Sequence, residues 1–529
     1  MQRYSICIEF DLSINQQEIL LMVEKMQQLA THYHAGQERR GNEHTPYIVH
    51  PQEVVKMLSS WGVPENSPVL AAAWGHDLLE DTAATPREIA ENSSDMVLDW
   101  IKMLTCSPEE NKSVYLQKLS SCGVLEILLI KAADRICNTG DFLRTEGALR
   151  AYRYLHSADM IFEALKKFEA DLPAENALLE YDKLNERLES PAQRDAIRGS
   201  LLAGAAGDAL GSPVEFLNQS QIYKLYGSNG VTEYSEFGKQ GSITDDTQMT
   251  LFTIEGILRG VVRDYEKGIC EPESIMYNAY LRWRKTQGSC VMEIEDSGWM
   301  IKEKALWEVR APGNTCLSSL EKPFRGGKVN NSKGCGSVMR MAPVGLCMAP
   351  EEAYKWGCKF GAITHGHDTG VTAAGAFAML ISYLVKEGCG LEESVRKVLA
   401  HLAADPRAGE TLSALQKVFT AQDITELGEG WIAEEALAIS VYAVLLYPYD
   451  LRKAVQLAVN ISGDSDSTGA ITGNIAGAIN GESAIPPSWL NNLREYTIVS
   501  QAADDLHSWF ESDEYGHCTP EWWNKYPGY

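Results

Sequence analysis

Four ionisable side chains close together in the first half of the chain have the composition of a metal site. His76 and Asp77 are followed four residues later by Glu80 and Asp81, within an apolar stretch. On one helix, His76 would lie over Glu80 and Asp77 over Asp81. Because unpaired buried charges are costly, such a cluster needs a cation or strong hydrogen bonds. A metal with imidazole and carboxylate ligands is predicted, and Mn²⁺, Fe²⁺ and Zn²⁺ all fit. The alternative is a surface His-Asp pair on an acidic helix.

The second half carries an acidic cluster of a different type, built from oxygen atoms only. Its carboxylates and hydroxyls precede two apolar helical patterns: Thr244, Asp245 and Asp246 before the first, and Asp464, Asp466 and Ser467 before the second. Thr244 is predicted to be a helix N-cap. Carboxylates at helix starts are also favoured by the helix dipole alone, so capping is the alternative interpretation. Oxygen-only clusters suit Mg²⁺, Mn²⁺ or Ca²⁺. Two hydrolytic centres on one polypeptide are therefore predicted.

Size and charge limit the classes of protein that this chain can be. At 529 residues it is too long for one ordinary domain, and its 45% hydrophobic and 22% charged residues are typical of a globular protein. The net charge of −25 argues against general nucleic-acid binding, although a metal ion can still attract a small nucleotide. Twelve scattered cysteines without a Cys-x-x-Cys pair indicate buried reduced thiols, so a cytoplasmic location is expected. The apolar stretch 371–385 is shorter than the ~20 residues of a membrane span and is predicted to be a buried core helix.

Helical periodicity dominates the chain, which predicts an all-α fold with two helical domains. In the first domain, helices are predicted at 14–35, 51–61, 68–80, 86–104, 112–120, 124–138 and 145–169, with a weak strand at 1–10. A charged segment containing Pro173 and Pro191 marks the boundary, which gives domains 1–188 and 189–529. The connection between them is either a helix or a flexible linker. The second domain ends in an aromatic tail, which packs on the core, binds a partner or gates the second cleft.

Small residues recur every four positions in two segments of the second domain. The first series is Gly199, Ala203, Gly207 and Gly211, and the second is Gly469, Gly473, Gly477 and Gly481. On a helix this spacing forms a ridge without side-chain bulk, which another helix can approach closely. Since glycine costs about 1 kcal/mol relative to alanine inside a helix, its repetition predicts tight central packing.

Four ordered motifs in the first domain resemble the HD-type hydrolase domain of the Rel/SpoT alarmone enzymes, and most closely their small stand-alone hydrolases. The motifs lie within residues 15–165 and are His34-Ala-Gly-Gln37 with Arg39-Arg40, Thr45-Pro-Tyr-Ile-Val-His50-Pro51, His76-Asp77-Leu-Leu-Glu80-Asp81-Thr82, and Lys131-Ala-Ala-Asp134-Arg-Ile-Cys-Asn138. No alarmone synthetase domain follows them. Trp74-Gly75 departs from the bulky aliphatic residues that are usual in the family, which predicts altered packing beneath the metal.

The resemblance implies a role for each matching residue. One Mn²⁺ ion would be held by four ligands: His50, His76, Asp77 and Asp134. Glu80 and Asp81 would position and activate the attacking water. The side chains expected to face the nucleotide are Arg39, Arg40 and Asn138. The implied reaction removes the 3′-pyrophosphate from ppGpp or a related nucleotide, because the metal acidifies the water and screens the phosphate charge.

Five segments of the second domain resemble the ADP-ribosylglycohydrolase family, which includes the dinitrogenase reductase-activating glycohydrolases. They span residues 194–490 and are the run 199–216 with Asp208 and Glu215, Thr244-Asp-Asp-Thr-Gln-Met249, Asn331-Ser-Lys-Gly-Cys-Gly-Ser-Val-Met-Arg340, Thr364-His365-Gly-His367, and Gly463-Asp-Ser-Asp-Ser-Thr-Gly469. The family fold is all-helical. The last hydroxyl ligand, Ser467, is often threonine in relatives, and serine keeps the hydroxyl group.

This resemblance implies two Mg²⁺ or Mn²⁺ ions. Their ligands would be Thr244, Asp245, Asp246, Asp464, Asp466 and Ser467. Glu215 and Asp246 are the expected catalytic carboxylates. The residues expected to contact ADP-ribose are Ser332, Gly334, Gly336, Ser337 and His365, because glycines in such a loop expose backbone N–H groups to phosphates. Water activated at the ions would attack the anomeric carbon and release ADP-ribose from its acceptor, for which the motif weakly favours ADP-ribosyl-arginine.

These interpretations together predict a bifunctional metal-dependent hydrolase acting on two nucleotide-derived substrates. One alternative is that one domain senses a nucleotide and regulates the other. Another is an immunity or antitoxin protein that neutralises a toxin by binding it. The expected partners are nucleotide substrates and an ADP-ribosylated protein or a toxin, with no membrane. Which alarmone and which ADP-ribose acceptor are used is left open by the residues.

Overall fold

The computed structural model describes residues 16–39, 44–234, 240–288, 293–324, 326, 328–511 and 519–528. These residues form helices joined by turns and loops, with isolated bridges but no strand among them, which confirms the predicted all-α class. The chain divides into two compact units, Met1–Ala192 and Gln193–Tyr529. The predicted boundary at 188/189 lies a few residues before this division. The strand predicted at residues 1–10 and Arg40, which is predicted to face the nucleotide, lie outside the described residues.

The first unit contains ten short helices and the beginning of a long one. Their bounds are α1 Gln16–Tyr33, α2 Val49–Ser60, α3 Pro68–Gly75, α4 Leu78–Asp81, α5 Pro86–Asn92, α6 Asp95–Leu104, α7 Lys112–Ser120, α8 Leu125–Thr145, α9 Ala148–His156, α10 Asp159–Leu165 and α11 Leu172–Gly211, with a 3₁₀ turn at Lys166–Phe168. The division between the units falls within α11, one residue after Pro191. Of the two predicted kinds of connection, the structure has the helical one.

The second unit continues with fifteen further α-helices in the described residues. Their bounds are α12 Gln219–Tyr226, α13 Asp245–Lys267, α14 Pro272–Thr286, α15 Asn314–Ser319, α16 Ala342–Cys347, α17 Pro350–Ala362, α18 Asp368–Val385, α19 Leu391–Leu402, α20 Gly409–Lys417, α21 Ala433–Leu446, α22 Leu451–Val459, α23 Ser465–Asn480, α24 Pro487–Asn492, α25 Tyr496–Glu511 and α26 Pro520–Lys525. Short 3₁₀ turns occur at Ser212–Val214, Met300–Lys302, Lys304–Trp307, Cys335–Ser337, Ile424–Leu427 and Glu482–Ala484.

Helix α3 lies at the centre of the first unit, where every one of its residues is buried. It packs against α1, α2, α6 and α8. The expected single helix at 68–80 is wrong, because α3 ends at Gly75 and α4 begins at Leu78. His76 is the C-cap residue of α3, and Asp77 is the N-cap residue of α4. These two residues, the HD pair, therefore lie at the junction between the two helices.

The single helices expected at 86–104 and 145–169 are also each divided in two. In the first case Ser94 interrupts the helix, because its hydroxyl accepts a hydrogen bond from the Val97 N–H and caps the start of α6. In the second case Ser157 and Ala158 separate α9 from α10. Apolar spacing alone therefore predicted helices that are too long, and at Ser94 a polar capping residue explains where the helix is interrupted.

Gly75, one of the two residues that depart from the family pattern, is closely packed in the first unit. A β-carbon added at Gly75 would lie 2.6 Å from Met26 Cε and 2.7 Å from Ile101 Cδ1. The missing side chain therefore lets residues from α1 and α6 fill the space beside the HD pair. Trp74 is itself 6% exposed. Met26, Ile101 and Trp74 are therefore part of one buried core in the first unit.

The two series of small residues lie on α11 and α23, and they pack against each other. A β-carbon added at Gly207 would lie 2.1 Å from the carbonyl oxygen of Gly469, and one added at Gly473 would lie 2.1 Å from that of Ala203. The two backbones are therefore in direct contact. At the end of this contact, Gly211 faces Ser465 in the same way, at 2.1 Å. The close approach brings the start of α23 beside the segment that follows α11 and carries Glu215.

We expect the Gly207→Ala variant to lower the stability of the second unit by about 1–3 kcal/mol, because an added methyl group forces the two backbones apart. The matched control is Gly409→Ala at the start of α20, where an added β-carbon meets nothing within 4 Å. Urea unfolding of both variants measures the difference. Equal midpoints for the two variants would show that the contact between α11 and α23 tolerates side-chain bulk.

Helix α18 is the buried core helix that the sequence predicts at residues 371–385. Asp368–Val385 is, among the described residues, long and apolar enough to cross a membrane by length and composition alone. However, 83% of that window is buried within the protein. Helix α18 packs against three other helices of the core, α16, α17 and α21. A core position therefore accounts for its composition.

The described part of the aromatic tail packs against the second unit. The Tyr526 side chain is fully buried, and its hydroxyl donates a hydrogen bond to Asp505 Oδ2 at 2.6 Å. Arg259 donates to the carbonyl oxygen of Pro527 at 2.8 Å, and Arg263 donates to that of Gly528 at 2.8 Å. Of the three roles considered for the tail, the described contacts fit the one in which it packs on the core.

Candidate active sites

In the first unit, two histidines and two carboxylates converge from three separate segments. His50 comes from α2, His76 and Asp77 come from the α3–α4 junction, and Asp134 comes from α8. The two Nε2 atoms lie 3.3 Å apart. His50 Nε2 is 3.2 Å from Asp134 Oδ1, and His76 Nε2 is 3.1 Å from Asp77 Oδ2. The fold thus brings together all four residues that the sequence predicts as ligands.

This geometry fits a cation held by two nitrogen and two oxygen atoms. The Nδ1 atom of His76 lies 2.7 Å from the Ala73 carbonyl, so Nδ1 carries a proton. Burial lowers the pKa of His76, but the charge of Asp77 and the hydrogen bonds to both carboxylates outweigh burial and raise this pKa to about 10. The carboxylates beside His76 Nε2 therefore favour positive charge at this position, which a bound cation would supply.

Arg39 lies beside this centre rather than facing outward. Its side chain is 7% exposed, and it donates hydrogen bonds to Glu53 at 2.7 Å and to His50 Nδ1 at 3.2 Å, with a further ion pair to Asp141. Since arginine only donates, His50 Nδ1 is the acceptor in this arrangement. Metal ligation through His50 Nε2 requires the other tautomer, in which Arg39 keeps its contacts to the two carboxylates and to Asn138 Oδ1, which lies 3.4 Å away.

The remaining residues predicted in the first unit have defined contacts. Asn138 donates a hydrogen bond to Asp134 Oδ1 at 2.6 Å, so it orients one of the predicted metal ligands. Glu80 is exposed, and its Oε2 accepts from the Cys106 N–H at 3.0 Å. Asp81 Oδ2 accepts from the Tyr47 hydroxyl at 2.9 Å. Lys131, which sequence reasoning did not assign, donates to Asp134 Oδ2 at 2.9 Å. Its position three residues before Asp134 on one helix was the available signal.

In the second unit, the acidic cluster forms at the N-termini of α13 and α23. Thr244 caps α13, as predicted, and Asp464 caps α23. Oxygen atoms of Glu215, Asp464 and Asp466 all lie within 4.8 Å of one another. The Thr244 hydroxyl lies 3.3 Å from Asp246 Oδ2 at the start of α13. The charge of Asp466 on α23 acts on Asp246, so the two helix starts and the Glu215 segment form one site. Both helix dipoles favour negative charge here.

The electrostatics of this cluster fit bound cations. Asp246 Oδ1 is buried without a hydrogen-bond partner in the described structure, and Asp246 is 2% exposed. Burial, reinforced by the charge of Asp466, raises the pKa of Glu215 to about 8 and that of Asp208 to about 7. Burial and neighbouring carboxylates also raise the pKa of Asp245 well above its usual range. Cations bound among these oxygens would relieve the repulsion, and oxygen-only ligands suit Mg²⁺ or Mn²⁺.

Asp208 is a residue of this site to which sequence reasoning gave no role. It is fully buried. Both its oxygens lie 3.0 Å from the Thr244 N–H, and Oδ2 also accepts from the N–H and the hydroxyl of Thr247. Asp208 therefore fixes the first turn of α13, which carries Asp245 and Asp246. Its position in the glycine-rich motif on α11 was the available signal.

A loop following Arg310 also fixes Asp245. The Asp245 N–H donates to the Arg310 carbonyl at 3.0 Å, and Asp245 Oδ2 accepts from the Gly313 N–H at 3.1 Å. Between them, Ala311 has a φ of 47°. This left-handed conformation is uncommon for a residue with a side chain. The sequence contained no pattern that predicted it.

The predicted ADP-ribose loop lies against His365. A β-carbon added at Gly336 would lie 3.2 Å from the His365 ring, and one at Gly334 would lie 3.5 Å from it. The two glycines therefore leave room for the ring to pack on the loop backbone. Burial, aided by Arg340, lowers the pKa of His365 to about 3, so its ring is neutral. The fully buried Arg340 donates to Thr364 Oγ1 at 2.6 Å and to the Gly336 carbonyl, which holds the loop in place.

The two serines of this loop differ in their side-chain contacts. Ser337 is fully buried, and its hydroxyl donates to the Gly370 carbonyl at 2.8 Å. The Ser337 hydroxyl is therefore used in a hydrogen bond within the protein interior. Ser332 Oγ lies 3.2 Å from the Thr315 hydroxyl and accepts from the Gly334 N–H at 3.3 Å. Ser332 is only partly buried, so its hydroxyl is the more accessible of the two.

Comparison with known proteins agrees with both resemblances. The profile of the ADP-ribosylglycohydrolase family matches residues 189–515. Over 321 residues the chain is 26% identical to the ADP-ribosyl-[dinitrogen reductase] glycohydrolase of Rhodospirillum rubrum, covering 57% of this chain and 92% of the relative. Over 325 residues it is 23% identical to the ADP-ribosylarginine hydrolase Tri1 of Pseudomonas putida, covering 59% and 78%.

The first part of the chain is similar to a different group of hydrolases. It is 33% identical over 119 residues to the guanosine-3′,5′-bis(diphosphate) 3′-pyrophosphohydrolase MESH1 of Xenopus tropicalis, covering 22% of this chain and 66% of the relative. The protein is thus a helical hydrolase with a Rel/SpoT-like N-terminal part. The chain belongs to the ADP-ribosylglycohydrolase family.

Proposed function

We propose that this chain is a bifunctional metal-dependent hydrolase. Its C-terminal unit releases ADP-ribose from a modified acceptor, with ADP-ribosyl-arginine as the preferred linkage. Its N-terminal unit hydrolyses the 3′-pyrophosphate of ppGpp-like alarmones. The observation that carries the proposal is that each unit has its own convergent set of metal-ligating side chains, one of mixed nitrogen and oxygen atoms and one of oxygen atoms.

In the N-terminal reaction, His50, His76, Asp77 and Asp134 would hold one Mn²⁺ ion. When bound, the ion supplies charge neutralisation at the phosphate and acidifies water. Asp81 would accept a proton from the attacking water, which forms a bond to the phosphorus of the 3′-diphosphate next to the ribose. The bond from that phosphorus to the ribose oxygen breaks, the ribose oxygen takes up a proton, and the products from ppGpp are GDP and pyrophosphate. Lys131, paired with Asp134, would add positive charge beside the phosphates.

In the C-terminal reaction, the oxygen ligands of α13 and α23 would hold two Mg²⁺ or Mn²⁺ ions. Glu215 would accept a proton from water as the water oxygen forms a bond to the anomeric carbon. The glycosidic bond to the acceptor then breaks, and the departing group takes up a proton. The Ser332–Gly336 backbone would bind the diphosphate through N–H groups, with neutral His365 packed beneath it. The arginine linkage is supported by the similarity to Tri1, which is an ADP-ribosylarginine hydrolase.

The test is a paired assay of the intact chain on ppGpp and on arginine-ADP-ribosylated protein. The chain is first stripped of metal with a chelator, then assayed with Mn²⁺, with Mg²⁺ or without added metal. We expect GDP and pyrophosphate from the first substrate with Mn²⁺, and free ADP-ribose from the second with either ion. Metal-loaded chain that releases neither product would refute the proposal, and loss of one product alone would refute that half.

A further inference from the structure

Tyr47 joins two carboxylates of the N-terminal centre. Its hydroxyl lies 2.7 Å from Asp77 Oδ2 and 2.9 Å from Asp81 Oδ2. A phenol has one proton to donate, so the two carboxylates share it. Asp77 Oδ2 is also the oxygen that lies 3.1 Å from His76 Nε2. Tyr47 therefore holds the same oxygen atom that points toward the proposed ion.

His34 and Gln37 contact Tyr47 and the backbone of Asp81. The His34 ring is 2% exposed and stacks on the Tyr47 ring, with 4.6 Å between ring centres and 26° between planes. His34 Nδ1 lies 2.6 Å from Gln37 Oε1, and Gln37 Nε2 donates to the Asp81 carbonyl at 2.9 Å. The Tyr47 N–H donates to the Gln37 carbonyl at 2.9 Å. These contacts link His34, Gln37 and Tyr47 to one another and to the backbone of Asp81.

We infer that His34, Gln37 and Tyr47 are positioning residues that set the separation and orientation of Asp77 and Asp81. This inference rests on the proposed function of the N-terminal centre. Two like-charged carboxylates in one site repel each other, and without a common donor each would turn to its own partner. The shared hydroxyl fixes one oxygen of each. Partners of this kind, which orient a metal ligand from behind, commonly control metal affinity.

A purely structural role for Tyr47 makes a different prediction. In that case the ring would matter for packing, and the hydroxyl would have no effect on the metal. The Tyr47→Phe variant separates the two roles, because it keeps the stacking against His34 and removes only the hydroxyl. A matched control is Tyr33→Phe in the same unit, where the Tyr33 hydroxyl donates to Glu88 at 2.6 Å, away from the ligands.

The experiment measures Mn²⁺ affinity by titration calorimetry on the full-length chain. An Asp246→Asn, Asp466→Asn background is used throughout to disable the C-terminal centre, so that the heat reports the N-terminal centre. We expect Tyr47→Phe to weaken Mn²⁺ binding by about 10–100-fold, while Tyr33→Phe leaves it within twofold. The metal-free melting temperature of Tyr47→Phe should stay close to that of the parent. Gln37→Leu, which loses the contact to Asp81, should weaken binding in the same direction.

Enzyme kinetics give a second readout. On ppGpp, Tyr47→Phe should lower kcat at saturating Mn²⁺ with little change in KM, because Asp81 is misplaced while the nucleotide-binding groups remain. Equal Mn²⁺ affinity and equal kcat for the Tyr47→Phe variant and its parent would overturn the inference and leave the proposed function intact. A parent chain that neither binds Mn²⁺ nor hydrolyses ppGpp would overturn both.

Discussion

Replacing Asp246 by asparagine is expected to lower the rate of ADP-ribose release by about 10³-fold, the largest effect we predict in the C-terminal unit. The substitution keeps the size of the side chain and removes the negative charge whose Oδ1 is buried without a partner. Loss of a ligand to a catalytic metal removes several kcal/mol of transition-state stabilisation, and each 1.36 kcal/mol is a factor of ten in rate.

The same variant should be more stable than the parent when both are metal-free. Burial, with the repulsion of Asp466 and Asp245, raises the pKa of Asp246 well above its usual range, which shows that the ionised form is disfavoured there. Neutralising that position relieves the repulsion. Loss of activity together with a higher metal-free melting temperature is therefore the expected combination, and added Mg²⁺ should stabilise the parent more than the variant.

Asp423→Asn is the matched control for this experiment. Asp423 is an exposed N-cap at Ile424, and asparagine also caps helices well. Its activity and melting temperature should both match the parent. A metal-free Asp246→Asn protein that melts below the parent would contradict the interpretation of the cluster as a site of unrelieved repulsion. Full activity in that variant would remove Asp246 from the mechanism.

Replacing Asp77 by asparagine is expected to lower alarmone hydrolysis by about 10³-fold and to leave ADP-ribose release unchanged. Asp77 Oδ2 lies within 3.1 Å of His76 and 3.5 Å of His50, so its charge is central to the proposed ion site. Burial raises the pKa of Asp77, but the charges of His76 and His50 and the hydrogen bond to His76 outweigh burial and lower this pKa, and these interactions are lost in the variant. Both rates are measured on the same purified chain, with metals supplied in excess.

The reciprocal measurement distinguishes two independent activities from regulation. Asp246→Asn should leave the ppGpp rate within twofold of the parent. If Asp77→Asn instead changes the rate of ADP-ribose release, or if saturating ppGpp does so in the parent, the N-terminal unit acts as a regulator of the other. Asp99→Asn is the control in the first unit, since Asp99 is an exposed residue of α6 paired only with Lys102 in the described contacts.

Much of the architecture could be predicted from the sequence because it depends on local patterns. Apolar spacing gave the all-α class, and the small-residue series on α11 and α23 indicated their close packing. Apolar spacing failed where a polar residue ended a helix, as at Ser94. It also failed at His76 and Asp77, where the chain turns between α3 and α4. At this turn the His76 and Asp77 side chains lie 3.1 Å apart, whereas consecutive residues of a continuous helix point in different directions.

The sequence by itself determined which residue types are available at each centre, because metal ligands need particular atoms and those atoms are visible in the motifs. Tertiary structure alone decided how their partners are arranged. Arg39 is predicted to face a nucleotide, and the structure places it in contact with Glu53, Asp141, His50 and Asn138. Asp208 and Tyr47 received no role from their spacing, yet each fixes the orientation of ligands distant in sequence. Such partners are set by packing between helices, because hydrogen bonds at 3 Å depend on distances that no local pattern encodes.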